Sequence, residues 1–242
     1  MIKILSFPRK RESIKMDPRQ KNSGMTDNGE CPARGPSRIK MRVLVTCGAT
    51  WTPIDDVRFI SNVSSGEMGH LIAAAFSKKS AVVTLIEGPV THTLIDKKIK
   101  VIKYRFFDEL ARVLKAELLK KYDIIIHAAA VSDFKVAGAS KSKISSDKAR
   151  ILNLVATPKL IKDIKRLSPE SFLVGFKLES NLNPKNIFKT VKPLFTSSGC
   201  DLVVANTLTG GYRGFIVNAD GDLLAKASSK KKIAQSLAEI IS

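Results

Sequence analysis

The chain has 242 residues, 44% of them hydrophobic, which is enough for one large folded domain or two small ones. Lysine and arginine number 41 and aspartate and glutamate 22, so the formal net charge is +19 and the surface attracts polyanions. No apolar run reaches the roughly 18 residues of a membrane-spanning helix, and three cysteines without C-x-x-C spacing support neither a disulfide framework nor a structural zinc site.

The basic charge makes nucleic acid a candidate partner, but other features argue against one. Aromatic residues are only 6% of the chain, no zinc-finger spacing or RNP-type aromatic run is present, and the lysines are spread along the whole sequence. A phosphorylated small molecule is therefore the favoured ligand, with no nucleic acid and no membrane partner. The first apolar patch is too short for a secretory signal, so we expect a cytoplasmic protein.

Residues 1–40 contain four prolines and ten basic residues against four acidic ones, without helical or strand periodicity. This composition is typical of a disordered basic extension. The slightly favoured alternative is a start codon assigned too far upstream, with Met41 or a nearby methionine as the functional start. The folded domain is accordingly predicted over residues 41–242.

From residue 41 onward, strand patterns alternate with helix patterns, which predicts an α/β, Rossmann-like domain with a mostly parallel sheet and helices on both faces. A hairpin turning at Asp220-Gly221 and a final helix capped by Ser228 should follow. Strands are predicted at 43–45, 81–86, 100–104, 123–130, 172–178 and 201–205. Helices are predicted at 69–79 and 108–120. Two more are predicted at 158–167, capped by Thr157 before Pro158, and from Asn183-Pro184 to Gly199, with Asn183 as the cap.

The stretch between the first strand and the first helix carries the strongest chemical signal. Gly48 can adopt backbone angles that are closed to other residues, so the turn after the strand can expose amide groups that bind phosphate. Ser64, Ser65 and Gly66 then lead into a helix N-terminus, which is a second anion site. The spacing between Gly48 and Gly66 matches neither the G-x-G-x-x-G fingerprint nor the phosphate loop G-x-x-x-x-G-K-[ST], whose lysine is absent here.

Seven motifs in this order resemble the phosphopantothenate-cysteine ligase family of coenzyme A biosynthesis, the bacterial-type C-terminal domain of DNA/pantothenate metabolism flavoproteins. They are GAT at 48–50, TPIDDVRFISNVSSGEMG at 52–69, AAAVSDF at 128–134, KSKI at 141–144, VATP at 155–158, VGFKLES at 174–180 and DLVVAN at 201–206. Ala49 stands where the family usually has glycine.

The resemblance implies that the protein joins L-cysteine to 4'-phosphopantothenate through an acyl-cytidylate, using CTP and Mg²⁺ and releasing CMP and pyrophosphate. The PIDDVRFISN form resembles the CTP-using bacterial branch. A homodimer with each site completed across the interface is also implied. Many family members carry an N-terminal flavin decarboxylase, for which forty residues are too few, so a separate decarboxylase is expected to act next.

Three residues take catalytic roles by this resemblance. Lys143, in a lysine-rich lid at residues 131–150, is expected to neutralise the nucleotide phosphates and the reacting acyl group, although lysines in such loops commonly serve solubility. Asn62 matches the asparagine that holds the acyl intermediate, but its residue type also suits a turn or a helix cap. Arg58 is as well explained by a surface ion pair with Asp55 or Asp56 as by substrate binding.

Further residues are expected to bind the nucleotide. Asp133 suits a base or ribose contact or a turn cap, and Phe176 is expected to stack on the base, although without the resemblance it would be a core residue. The complete predicted set is Gly48, Ala49, Thr50, Ser64, Ser65, Gly66, Ala128, Ala129, Asp133, Val155, Ala156, Thr157, Pro158 and Phe176. No metal-ligating residues are predicted. Near the positions of Leu194 and Ser198, the family commonly has phosphate-binding lysines, which this chain lacks. The family often has further lysines where this chain has Ser145 and Ser146.

A nicotinamide-dependent reductase of the same architecture is the alternative function. It requires a glycine fingerprint after the first strand and an acid that ends the second strand; the fingerprint is absent, although Glu87 lies near the place of the acid. His127, inside an apolar strand, is interpreted as a packed, hydrogen-bonded residue. Cys47 is interpreted as a small core residue.

Overall fold

Twelve strands and five helices follow one another along residues 40–91 and 96–241, the part of the chain that this computed structural model describes. The strands are β1 Arg42–Cys47, β2 Trp51–Pro53, β3 Phe59–Ser61, β4 Val82–Glu87, β5 Lys100–Lys103, β6 Ile124–His127, β7 Phe134–Val136, β8 Leu154–Ala156, β9 Phe172–Leu178, β10 Leu202–Thr207, β11 Arg213–Asn218 and β12 Leu223–Ala227. The helices are α1 Glu67–Lys78, α2 Phe107–Leu118, α3 Leu160–Leu167, α4 Ile187–Ser198 and α5 Lys230–Ile241. The expectations for residues 1–39 lie outside the described residues.

Eight of these strands form one sheet in the order β12-β11-β10-β9-β6-β1-β4-β5. The six strands from β10 to β5 are parallel to their neighbours, and the hairpin of β11 and β12 is antiparallel. The predicted fold class is confirmed, including the C-terminal hairpin, whose turn contains Gly221 at φ 93°. The chain runs outward from β1 through β4 to β5 and then returns to β6, so the topological switch point lies between β1 and β6. Ligands of open α/β sheets bind at the carboxyl ends of strands at this point.

Two apolar layers cover the sheet. Helices α1 and α5 pack on one face, and α2, α3 and α4 pack on the other. Strand β1 is buried on both faces, with Val43 and Val45 towards the first layer and Leu44 towards the second. Within the described residues, no helix combines the length and the apolar character needed to cross a lipid bilayer.

Two short hairpins were not predicted. Strands β2 and β3 pair with each other, as do β7 and β8, and the two hairpins lie side by side, with Thr52 Oγ1 donating to the carbonyl of Phe134 at 3.2 Å. Each strand has only three residues, too few for an alternating pattern to be recognised. The rings of Trp51 on β2 and Phe59 on β3 stack at 4.0 Å and stabilise the first hairpin. The lid, predicted as an irregular loop, contains β7 at its start.

Two predicted helix caps are wrong by a few residues. Thr157 does not cap α3, because its hydroxyl donates to the carbonyl of Ser132 at 2.6 Å and the helix begins at Leu160. At α5 the capping oxygen belongs to Ser229, which accepts from the amide of Lys232 at 3.3 Å, and not to Ser228. Asn183 is confirmed as a cap, accepting from the amide of Lys185 at 3.0 Å, but it caps the short 3₁₀ turn Pro184–Asn186 that leads into α4.

The close packing of α1 on β1 gives a first test. A Cβ added at Gly69 would lie 2.2 Å from Cys47 Cβ, so Gly69→Ala should force helix and strand apart and lower the free energy of unfolding by about 1–3 kcal/mol. Helix propensity alone predicts that Gly69→Ala would raise the free energy of unfolding by about 1 kcal/mol. The control Ala74→Gly in the same helix should lower the free energy of unfolding by about that amount. Denaturant unfolding measures both; a Gly69→Ala variant as stable as the parent would contradict this packing.

Candidate active site

Two neighbouring cavities open at the carboxyl ends of the parallel strands. The larger, of about 620 Å³, lies between the loop that enters α1, the exit of β6 and the ends of β9 and β10. The smaller, of about 440 Å³, lies between α3 and α4. Their shared wall consists of Ala129, Val131, Asp133, Phe176 and Lys177. A ligand that crosses this wall would occupy both sides of the sheet edge at the switch point.

The predicted anion site at the start of α1 lies in the larger cavity. Ser64, Ser65 and Gly66 line it, and the helix begins after Gly66, at φ 75°, without a side-chain cap. The first-turn carboxylate of Glu67 would repel a phosphate, but Lys230 Nζ from α5 lies 2.6 Å from its Oε2. This ion pair leaves the positive end of the helix dipole available to an anion.

The turn after β1 is bonded to the exit of β6. Ala49 and Thr50 are buried, and neither lines a cavity. The amide of Ala130 donates to the carbonyl of Gly48 at 2.8 Å, and the amide of Thr50 donates to the carbonyl of Ala130 at 3.4 Å. The turn thereby joins β1 to the exit of β6, and a nucleotide contact by Gly48, Ala49 or Thr50 stays a prediction.

Asn62 lies on the wall of the larger cavity, where Ala128 and Ala129 also lie. Its Nδ2 donates to the carbonyls of Ala130 and Val131 at 3.2 and 3.3 Å. These bonds hold the amide at the exit of β6, at the switch point. In this arrangement the side chain positions the strand exit, and a ligand that takes its N–H groups must replace those two carbonyls.

Arg58 and Asp55 of the first hairpin hold the lid through Ile144, and these three residues are called the clamp. The Asp55 carboxylate pairs with the Arg58 guanidinium and accepts from the amide of Ile144 at 3.1 Å, while Arg58 Nη2 donates to the carbonyl of Ile144 at 2.6 Å. The ion pair with Asp55 that was the alternative for Arg58 is therefore present. The bond from Arg58 holds the pKa of Asp55 well below its usual range, so the clamp is charged at neutral pH and is lost only in strong acid, as the pH falls through that lowered pKa.

Lys143 precedes the clamp residue Ile144 and is exposed, as expected. It lines neither cavity, and neither does Arg58. Within one chain, neither of the two cavities is lined by both Lys143 and Asn62.

The remaining predicted residues divide between wall and hairpin. Asp133 and Phe176 lie in the shared wall, and Pro158 lines the smaller cavity. Asp133 Oδ1 is 2.5 Å from Lys159 Nζ, an exposed ion pair at the cavity mouth. Val155 and Ala156 belong to β8, are exposed and line neither cavity. Thr157 is buried and also lines neither cavity.

The sequence profile of the DNA/pantothenate metabolism flavoprotein C-terminal domain matches residues 39–242. The chain belongs to this family. Coenzyme A biosynthesis bifunctional protein CoaBC of Thermococcus kodakarensis is 39% identical over 202 residues, which cover 81% of this chain and 49% of that protein. The chain thus spans about half the length of the curated relatives it matches.

Solved structures agree with this family assignment. The DNA/pantothenate metabolism flavoprotein from Streptococcus pneumoniae superposes with a TM-score of 0.73 at 25% identity, covering 82% of this chain and 97% of that one. A Cab2 mutant in complex with phosphopantothenate-cysteine superposes with a TM-score of 0.67, covering 83% of this chain and 86% of that one. At 20% identity, the second likeness shows a shared fold.

The reductase alternative is not supported for this member of the flavoprotein domain family. Glu87, the acid that ends β4, is buried, with its Oε1 2.9 Å from His70 Nε2 and its Oε2 3.5 Å from Lys103 Nζ. It is therefore unavailable to a ribose. Burial, aided by the charge of Glu87, raises the pKa of the Cys47 thiol, which agrees with a core role. Among the described residues, no three histidine, cysteine or acidic side chains are grouped to hold a metal.

Several cavity residues had no signal in the sequence. Lys159, Lys162 and Lys177 line the smaller cavity, and Lys177 and Lys230 line the larger one. With 41 basic residues spread along the chain, no spacing marks these lysines. His127 also lines the smaller cavity. Lys189 and Lys192, the nearest lysines on α4, line neither cavity.

The clamp gives a second test, because it is the charged contact between lid and hairpin. Asp55→Asn should free the lid and speed tryptic cleavage after Lys141, Lys143 or Lys148 by about tenfold at neutral pH, since charge-assisted hydrogen bonds are lost. Asp56→Asn removes the same charge from an adjacent exposed position and should cleave like the parent. Timed digestion with mass spectrometry measures the rates, and equal rates in the two variants would exclude the clamp as the lid's anchor.

Proposed function

We propose that this chain performs the ligase step of coenzyme A biosynthesis, joining L-cysteine to 4'-phosphopantothenate to give 4'-phospho-N-pantothenoylcysteine, CMP and pyrophosphate. The observation that carries the proposal is the pair of cavities with a common wall at the switch point, with Asn62 at the larger one. Membership of the flavoprotein C-terminal domain family and 39% identity to a coenzyme A biosynthesis protein support it.

The reaction needs an activated carboxylate. At neutral pH the charge of a carboxylate repels an incoming amine, and its leaving group would be oxide. In the proposed reaction the pantothenate carboxylate attacks the α-phosphorus of CTP, and the P–O bond to pyrophosphate breaks. The cysteine amine then attacks the acyl carbon of the acyl-cytidylate, CMP leaves with the electron pair of the acyl C–O bond, and the amine gives up a proton.

The residues of the larger cavity suit the charged parts of this reaction. The N-terminus of α1, with Ser64 and Ser65, binds an anion without adding a titrating group. Asn62 offers an uncharged amide donor to the oxyanion that develops at the acyl carbon, a contact typically worth about 3–4 kcal/mol in the barrier. Phe176, in the wall between the cavities, stacks on the nucleotide base.

Magnesium is proposed to accompany CTP. Glu67 and Asp133 are the carboxylates that line the larger cavity, and each is already paired with a lysine. This donor set fits an ion held mainly by phosphate oxygens and water, as is usual for Mg²⁺, with one of these carboxylates as the protein ligand. The ion would offset the repulsion between the phosphate and carboxylate charges.

A homodimer is proposed because the two hairpins expose apolar side chains next to the cavities. Phe59 and Ile60 on β3, and Phe134, Ile151 and Leu154 around the second hairpin, are all exposed. Burying this hairpin surface between two copies removes apolar area from water, which favours association. The clamp holds the lid against the first hairpin, and we propose that in a symmetric pair the lid carries Lys143 into the partner's larger cavity. The product would next be consumed by a decarboxylase, proposed as a separate protein.

Turnover tests the function directly. The purified chain is incubated with 4'-phosphopantothenate, L-cysteine, Mg²⁺ and either CTP or ATP, and pyrophosphate is assayed. Release that requires both substrates and is faster with CTP is expected. Absence of release under every combination would overturn the proposed ligase activity.

Lys143 gives a third test. Lys143→Ala should lower kcat by about a hundredfold or more, because the charge at the acyl-nucleotide is no longer neutralised, and it should leave the melting temperature unchanged, since the side chain is exposed. Lys148→Ala removes the same charge from the same lid and should lose much less activity. Pyrophosphate release and thermal unfolding measure the two effects; comparable activity in both variants would show that Lys143 is misassigned.

The hairpin surface gives a fourth test. Ile151 is 92% exposed, and Ile151→Asp should convert a dimer into monomers because a carboxylate would be buried in the apolar contact. Leu119 is 74% exposed at the end of α2, so Leu119→Asp is a matched control that should leave the dimer intact. Sedimentation velocity measures the mass. A parent protein that is monomeric, or equal masses for both variants, would contradict this interface.

A further inference from the structure

The chain that leaves β4 packs against the start of α1, and residues 87–91 are called the brace. The side chain of Val90 lies directly on Gly66, because a Cβ added at Gly66 would be 2.2 Å from Val90 Cγ1. The amide of Thr91 donates to the carbonyl of Ser65 at 3.4 Å. Neither Val90 nor Thr91 lines a cavity. The brace therefore supports the proposed anion site without touching a ligand in either cavity.

The brace is itself fixed to the turn after β1. The amide of Gly88 donates to the carbonyl of Cys47 at 2.9 Å, and the hydroxyl of Tyr104 donates to the same carbonyl at 2.9 Å. A Cβ added at Gly48 would lie 2.9 Å from the backbone of Gly88, so the two backbones are in close contact. The beginning of the brace thus has a position set by the sheet edge. How firmly α1 is held to it depends on the contacts that join the two.

His70, in the first turn of α1, makes such a contact. Its amide donates to the carbonyl of Gly66 at 3.3 Å, and its Nε2 lies 2.9 Å from Glu87 Oε1, where the brace begins. The two side chains are only 2% and 5% exposed. Lys103 Nζ lies 3.5 Å from the other carboxylate oxygen. Because a buried carboxylate is costly without partners, this contact holds the first turn of α1 on the end of β4.

We propose that His70 and Glu87 are positioning residues for the anion site at the start of α1. The role rests on the proposed function, because the anion is taken to be the triphosphate of CTP. The N–H groups of a first helical turn bind a phosphate when they point at it, and hydrogen bonds weaken steeply as their angle departs from linear. Loss of the buried contact lets Gly66 move away from Val90 and misdirects these groups. Neither His70 nor Glu87 lines a cavity, so both act through the helix.

Steady-state kinetics of the full chain test the positioning role. His70→Leu should raise the KM for CTP about tenfold and change kcat less than about twofold, because anion binding is lost equally in the ground state and the transition state. His70→Gln keeps an N–H donor near the position of Nε2 and should bring the KM to within about twofold of the parent. An unchanged KM, or equal values for the Leu and Gln variants, would overturn the role.

Tyr122→Phe is the matched control for stability. It removes a hydroxyl that donates to the buried Glu117 at 2.5 Å, just before β6 and therefore at the amino ends of the strands. Like His70→Leu, it should lower the melting temperature, but it should leave the KM for CTP unchanged. A rise in KM equal to that of His70→Leu would show that KM follows stability, against a positioning role.

Val90→Ala tests the support of Gly66 from the side of the brace. It leaves the buried contact of His70 intact and removes two methyl groups, so it serves as the test if circular dichroism shows that His70→Leu does not fold. The KM for CTP should rise about threefold, because the loop loses packing. A KM equal to that of the parent would contradict the support by the brace.

A titration with inorganic pyrophosphate, without metal, separates this inference from the ligase proposal. The amide shifts of Gly66 and Glu67 locate binding at the start of α1, and the dissociation constant from them should rise about tenfold in His70→Leu and stay unchanged in Tyr122→Phe. If this holds while no combination of substrates gives turnover, the positioning role stands and the ligase assignment falls. If the parent turns over and both variants bind pyrophosphate as it does, the positioning role is refuted alone.

Discussion

The parallel pairing of β1 with β6 is the contact on which the candidate active site depends. It aligns Val43 to Thr46 with Ile124 to His127, so the loops that leave the two strands emerge side by side. The short bonds between the Gly48 turn and Ala130, and from Asn62 to the same loop, extend this pairing beyond the strands. The cavities exist because these loops diverge to opposite faces of the sheet, one towards α1 and the other towards α3.

Lysines at the carboxyl ends of the parallel strands offset the carboxylates that lie there. The carboxylates nearest the cavities, Glu67 and Asp133, are each neutralised by a lysine from another element. Lys162 remains as a cation in the smaller cavity, and the dipole of α1 acts in the larger one. Part of the net charge of +19 thus lies at the cavities, among whose lining residues there is no arginine.

The features that depend on residues adjacent in the chain, such as strands and helix caps, could be predicted from the sequence. Strand β9 was predicted with its observed bounds because five of its seven residues are apolar, and the cap by Asn183 followed from an asparagine before a proline. The three-residue hairpins could not be predicted, since they depend on contacts such as the stacking of Trp51 on Phe59. Which lysines face a cavity depends on how α3 packs, so Lys162 carried no signal.

The central claim is that Asn62 and Lys143 act in one site although neither cavity of a single chain is lined by both. Mixed dimers of the Asn62→Ala and Lys143→Ala chains test it most directly, because only a site shared between subunits leaves one intact pair in each mixed dimer. Each variant alone should be inactive, and an equilibrated equal mixture should recover about a quarter of the parent's pyrophosphate release, from half the dimers with one site each. A mixture as inactive as its separate components would contradict a site completed by the partner's lid.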